Sequence, residues 1–155
     1  MGLDMYLSAT IHTVDREWAT PKEVKLNKGV RKLCPEMFDS GNLGTVEIAF
    51  EVGYWRKANA IHKWFVETCQ DGDDNCKKHP VSRDDLKVLK IECELILNAK
   101  TPEMAEEKLP VGEGFFFGSY EYDEWYWGAI EETIEIINKC LELSEEWSFE
   151  YQSSW

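Results

Sequence analysis

The sequence predicts an α+β fold, a mostly antiparallel sheet with about three helices packed on one face. Three observations predict it. Residues 3–11 and 45–52 alternate apolar and polar with the period of a half-buried strand. Stretches near 56–68, 82–97 and 123–143 carry apolar residues at helical spacing. The order in which these elements follow one another fits helices gathered on one side of a sheet. A length of 155 residues with 43% hydrophobic and 30% charged composition suits one globular domain over 1–155.

The first strand places Leu3, Met5, Leu7, Ala9 and Ile11 on one face and Asp4, Tyr6, Ser8, Thr10 and His12 on the other. Residues 14–44 read as an irregular excursion, punctuated by Pro21, Gly29, Pro35, Gly41 and Gly44. Within it, Lys22 to Lys28 suggests a short edge strand, Glu36 to Asp39 a helical turn, and Ser40 to Gly44 a tight turn. The second strand, Thr45 to Val52, turns Val46, Ile48, Phe50 and Val52 to one face and ends at Gly53. A helix from about Arg56 to Thr68 follows, with Ala58, Ile61, Phe65 and Thr68 toward the core. Gln70 to Asn75 is a solvated acidic turn.

Ser82-Arg83-Asp84-Asp85 has the form of a capping box with Asp in place of Glu. It opens a helix striped by Leu86, Leu89, Cys93, Ile96 and Leu97. Thr101-Pro102-Glu103 starts a short helix with Pro at its first position, ended by Pro110. Phe115 to Phe117 reads as a buried strand. The last helix runs from about Asp123 to Leu143 with Ile130, Ile134, Ile137 and Leu141 inward; Gly128 within it hints at close packing. Trp147, Phe149 and Tyr151 alternate in a final strand.

A net charge of −13 repels phosphate backbones and anionic lipid, so extended nucleic acid and membranes are poor partners. A small anion in a local pocket is still compatible with it, because distant charges are screened. No apolar run is long enough to span a bilayer, and the N-terminal residues lack the pattern of a signal peptide. Five cysteines without an export signal read as reduced thiols in a cytosol.

Two aromatic-rich segments carry the distinctive chemistry, and the aromatic share is high, with 7 Trp, 6 Tyr and 7 Phe. In Gly53 to Phe65, a strand-to-helix junction offers free backbone N–H groups to an anion. Arg56 and Lys57 in the first helical turn oppose the dipole unless an anion or a carboxylate joins them. Arg56 would fork onto a phosphate and Tyr54 or Trp55 would stack on a base. Asn59 and Lys63, at helical spacing from Arg56, extend the same polar face, and His62 on this helix is a further candidate ligand contact. In Gly114 to Trp127, Gly118 and Ser119 bring backbone and hydroxyl donors near a ligand, and Tyr120 stands beside them. Asp123 caps the last helix, and Glu121 or Glu124 would pair with Arg56 or Lys57. The plainer reading is that the bases only pair with abundant carboxylates and the aromatics only fill the core.

The sequence has no Walker A loop, no GxGxxG and no HExxH. His62 reads as a satisfied or exposed histidine before a catalytic one. Cys69, Cys76, His79 and Cys93 lack the close cysteine pair of a zinc site, and Asp71, Asp73 and Asp74 do not fit an EF-hand. Neither a metal nor a cofactor is expected.

Met1 to Leu7 (MGLDMYL), Val52 to Val66 (VGYWRKANAIHKWFV) and Gly114 to Tyr126 (GFFFGSYEYDEWY) together resemble one family of small bacteriophage proteins. Asp73-Asp74-Asn75-Cys76 and Val81-Ser82 fall between them in the same order. Residues 14–44 and the tail after Leu143 carry no part of the resemblance, and Tyr120 stands where the pattern has a smaller Thr. The family is similar to phage anti-CBASS sponges. That likeness implies a tetramer in the cytoplasm of an infected bacterium, binding a cyclic dinucleotide immune signal such as 3'3'-cGAMP without hydrolysing it. Two other readings compete. One is an enzyme acting on a nucleotide or other phosphorylated small molecule, with His62 as acid–base and Arg56 as phosphate clamp. The other is an acidic inhibitor of protein interactions.

Overall fold

The computed structural model describes residues 2–14, 16–38, 45–112, 114 and 118–155. The expected turn at 40–44 and the expected strand at 115–117 lie outside them. Among the described residues the fold is α+β, with a four-stranded antiparallel sheet of order β2-β1-β4-β3 and five α-helices. The strands are β1 (Asp4–Val14), β2 (Thr45–Arg56), β3 (His79–Val81) and β4 (Ser148–Ser154). The helices are α1 (Pro21–Leu33), α2 (Asn59–Cys69), α3 (Arg83–Ala99), α4 (Pro102–Lys108) and α5 (Glu124–Glu142). The expected short helix after Thr101 is α4, and α1 is the helix that was not expected.

The chain divides into two compact units, residues 1–9 with 51–155, and residues 10–50. The larger holds the main core. Leu3, Met5, Leu7 and Ala9 of β1 are buried in it, as the alternation requires. So are Leu86, Leu89, Cys93 and Ile96 of α3, Ile130 and Ile137 of α5, and Phe149 and Tyr151 of β4. The Phe65 and Tyr151 rings stack with centroids 4.0 Å apart. Ile134 and Leu141 are partly buried against the same core, whereas Thr68 is exposed and takes no part in it.

Ser82 and Asp85 form the expected capping box: the Ser82 hydroxyl accepts from Asp85 N and the Asp85 carboxylate accepts from Ser82 N. Thr101 caps α4 and Asp123 caps α5. At the other end of α5, Arg83 Nη2 donates to the carbonyls of Leu143 (3.0 Å) and Ser144 (2.7 Å). The glycine inside α5 is not a close approach, because a Cβ added at Gly128 would meet nothing within 4 Å.

The smaller unit corrects one expectation. Residues 21–33 are helical, not an edge strand. Thr20 caps Glu23 N, the Glu23 carboxylate returns to Thr20 N at 2.7 Å, and Pro21 takes the first helical position. These local signals outweigh the weak alternation of Lys22 to Lys28. The helix is held inside its unit by buried Asn27, whose amide donates to the Thr13 carbonyl and hydroxyl oxygens at 3.3 and 3.2 Å. A single 3₁₀ turn at Pro35–Met37 follows.

β2 corrects a second expectation. It does not end at Gly53 but continues to Arg56, and α2 starts three residues later, at Asn59. Its buried phase also changes along its length. Val46, Ile48 and Val52 are half-buried and Phe50 is 58% exposed, whereas Gly53 and Trp55 are buried. At Gly53 β2 comes too close to α5 for a side chain: an added Cβ would lie 2.6 Å from Ile136 Cγ2.

Candidate functional site

An open cavity of about 1180 Å³ lies in the larger unit, where the end of β2, the start of α2 and the first turns of α5 meet. Its wall includes Tyr54, Arg56, Lys57, Asn59, Ser119 and Trp125. The two aromatic-rich segments therefore converge on one place.

Strand geometry sets the roles of the first segment. Side chains alternate along β2, so Trp55 turns into the core while Tyr54 and Arg56 turn outward. Trp55 is 1% exposed, and its indole N–H donates to Thr133 Oγ1 of α5 at 2.9 Å. Thr133 in turn donates to the Ala129 carbonyl at 2.7 Å. Trp55 is thus a buried floor, as the plainer reading of the aromatics has it, and is not a free ring for a base. Tyr54 is the accessible ring of the pair. Its hydroxyl donates to Asp4 Oδ1 at 2.5 Å, and that bond to a carboxylate holds its pKa above the usual phenol value.

Arg56 ends the strand with its side chain 67% exposed; its one ion pair among the described residues is a 4.0 Å approach to Asp4. Lys57 makes the corner in the left-handed region, at φ 58°. Its N–H donates to the Leu3 carbonyl at 2.8 Å, and its own carbonyl accepts from Asn59 N at 3.0 Å. The two cations therefore precede α2 instead of sitting in its first turn. The residue capping α2 is Ala58, which supplies no side-chain acceptor. Ala58, Asn59, Ala60 and Ile61 line the cavity, so the start of that helix borders it without a built-in carboxylate.

Asn59 is 4% exposed and ties the two segments together. Its Nδ2 donates to the Ser119 carbonyl at 2.8 Å and its Oδ1 accepts from Gly112 N at 3.3 Å. Gly118, at φ 110°, lets this connection approach: an added Cβ would lie 2.8 Å from the Lys57 carbonyl oxygen. The Ser119 hydroxyl accepts from Glu121 N at 3.1 Å. Tyr120 is 52% exposed and donates to the Gly114 carbonyl, but does not line the cavity.

His62 is also placed away from the cavity. It is 3% exposed; Nδ1 meets the Tyr151 hydroxyl at 2.8 Å and Nε2 meets Asp74 Oδ2 at 3.0 Å. The same carboxylate accepts from Trp155 Nε1 at 3.1 Å. Both ring nitrogens are committed, so this histidine braces α2, the 70–75 turn and β4. Burial holds the Tyr151 hydroxyl well above its usual pKa, with the Asp74 charge adding to the effect. Among the described residues no three metal-ligating side chains come together. Burial also pushes the Cys69 thiol up to about 12 and that of Cys140 to about 11, which keeps both protonated at neutral pH.

The acidic side of the cavity is supplied by Glu121, Asp123, Glu124 and Glu132, against the two cations Arg56 and Lys57. Asp123 is occupied as the cap of α5, accepting from Trp125 N and Tyr126 N at 3.0 and 3.1 Å. Those bonds, first that to Tyr126, hold its carboxyl below the usual range. Sequence reasoning passed over Trp125, which is 84% exposed and lines the cavity. Its signal was available, since position 125 falls opposite the stripe of Ile130, Ile134, Ile137 and Leu141 expected of that helix.

No protein-family model, no curated protein and no solved structure matches this chain.

Proposed function

We propose that this chain binds a cyclic dinucleotide in the cavity between β2, α2 and α5 and sequesters it without hydrolysis. The observation that carries the reading is the wall itself. Two accessible aromatic rings, Tyr54 and Trp125, share it with two cations, Arg56 and Lys57, and with the uncapped start of α2. Rings stack on bases, and a guanidinium with free backbone N–H groups receives phosphate. At about 1180 Å³ the space is above the roughly 300–1,000 Å³ usual for drug-sized ligands and has room for a two-base ligand. The carboxylates Glu121, Glu124 and Glu132 are acceptors for base N–H groups, and they disfavour phosphate on their side. They therefore argue for a ligand laid with its phosphates toward Arg56 and its base edges toward α5.

The enzymatic reading loses its acid–base, because His62 does not line this wall. The phage setting, the immune-evasion role and the homotetramer rest on the resemblance of the three motifs and belong to the proposal.

Titration calorimetry with 3'3'-cGAMP, cyclic di-GMP, cyclic di-AMP and linear dinucleotides tests binding. Heating the complex and chromatographing the released ligand tests turnover. Binding of a cyclic dinucleotide recovered intact, and lost in Arg56→Ala, is the expected result. No binding to any of them overturns the reading; a linear product moves it to the enzyme.

A further inference from the structure

Gly128 has no packing reason to be glycine. It lies in the second turn of α5 without a positive φ, and a Cβ added there would meet nothing within 4 Å. Glycine inside a helix is destabilising relative to alanine. The space left by its missing side chain belongs to the cavity, whose wall it lines. A glycine in such a place lets a ligand come down onto the backbone.

Trp125, Gly128, Ala129 and Glu132 all line that wall from α5. At 100° per residue they fall within about 100° of one another, and about 10 Å of helix separates the first from the last. Together they form a shelf. An aromatic ring, 84% exposed, stands at one end, bare backbone lies in the middle, and an exposed carboxylate stands at the other end. A helical side chain covers the turn N-terminal to its own Cα. Glu132 therefore reaches back over Gly128, whereas Glu124, four residues before Gly128, leans away from it. Asp123 is already committed to the cap of α5. A planar base laid on Gly128 and Ala129 would have the Trp125 ring to stack on and the Glu132 carboxylate at its edge.

The carboxylate decides which base. An ionised carboxylate accepts hydrogen bonds and donates none. Guanine presents two neighbouring donors on one edge, N1–H and the 2-amino group, and a carboxylate receives both side by side. Adenine and cytosine set a ring-nitrogen lone pair beside their amino donor, and that lone pair is repelled by the carboxylate. Uracil and thymine offer one N–H between two carbonyls.

We infer that the α5 wall of the cavity is a guanine subsite. Trp125 stacks on the base, Gly128 admits it, and Glu132 reads its N1–H and 2-amino edge. The inference rests on the cyclic-dinucleotide reading of the cavity and narrows it to ligands with at least one guanine.

Titration calorimetry with cyclic di-GMP, 3'3'-cGAMP and cyclic di-AMP tests it. Wild type should bind the two guanine ligands about tenfold or more tighter than cyclic di-AMP. Glu132→Gln keeps the shape but puts a donor beside the acceptor, so it should lose that preference. Arg56→Ala, on the phosphate side, should weaken all three alike. Gly128→Ala should melt no lower than wild type, because a helix favours alanine, and yet bind cyclic di-GMP about tenfold more weakly, because the Cβ takes the place of the base. A merely structural glycine would not move stability and binding in opposite directions. Three results would overturn the subsite and leave the cavity reading standing. They are cyclic di-AMP bound as tightly as cyclic di-GMP, a guanine preference kept in Glu132→Gln, and wild-type affinity for cyclic di-GMP in Gly128→Ala. Binding of none of the three ligands overturns both.

Discussion

Trp55 and Arg56 are neighbours in sequence with opposite destinations, and their variants should separate cleanly. Trp55→Ala removes a ring buried to 1% and leaves the Thr133 hydroxyl without the indole donor. Such truncations cost about 3–5 kcal/mol, so chemical denaturation should show a midpoint far below wild type. Arg56→Ala, with a side chain 67% exposed, should leave that midpoint within about 0.5 kcal/mol. Its expected effect is on ligand binding, weakened about tenfold or more for a lost charged contact of roughly 1.5–3 kcal/mol. The sequence did name the segment, since Tyr54, Arg56, Lys57, Asn59 and Ser119 all line the cavity. It misassigned Trp55 because the helix was expected to begin at Arg56. With β2 running through Gly53 to Arg56, odd positions turn inward and the tryptophan goes with them. His62 and Asn59 illustrate the other limit. Their partners Tyr151, Asp74, Ser119 and Gly112 are distant in the chain, and no periodicity announces a bond over such a separation.

The last helix depends on its cap. Asp123 accepts from two backbone N–H groups, and an Asp-to-Ala change at such a position costs about 1 kcal/mol. The carboxylate form is the one these bonds favour, and its pKa is lowered from 3.8. The stability it contributes is therefore complete above the unfolded value and is lost as pH falls through the lower, folded one. Thermal denaturation of wild type and Asp123→Ala should differ at pH 7, and the difference should shrink as the medium is acidified below about pH 4. A gap that is constant with pH would mean the side chain acts through packing and not through its charge. The helices were legible where a cap and an apolar stripe agree, as in α3 and α5, and α4 was legible from Pro102 at its start and Pro110 after it. α1 was missed although Thr20-Pro21-Lys22-Glu23 spells a capping box, because only one of its residues, Asn27, is buried and no apolar stripe accompanies it.

The charge of the whole chain is unevenly spread. Residues 10–50 contain six basic and six acidic side chains, so the net charge of −13 falls entirely on the other unit. Self-repulsion destabilises a compact state and is screened by salt, with a Debye length of about 10 Å at 0.1 M. Raising sodium chloride from about 20 to 300 mM should therefore raise the melting temperature, and should weaken ligand binding by screening Arg56 and Lys57. Parallel scans with and without ligand would read both effects; a melting temperature that falls with salt would show that attractive pairs outweigh the repulsion.

The strand order β2-β1-β4-β3 has a consequence in time. β1 is made first, yet one of its two neighbours in the sheet, β4, is the last strand to be made. While a ribosome works through the intervening residues, one edge of β1 has no partner, and Leu3, Met5 and Leu7 lack part of their cover. Pairings between distant segments form slowly, and an unpaired apolar edge invites association with other chains. Nascent chains stalled before residue 148 should be captured by chaperones and cut readily by protease within β1. Released chains that contain β4 should resist both.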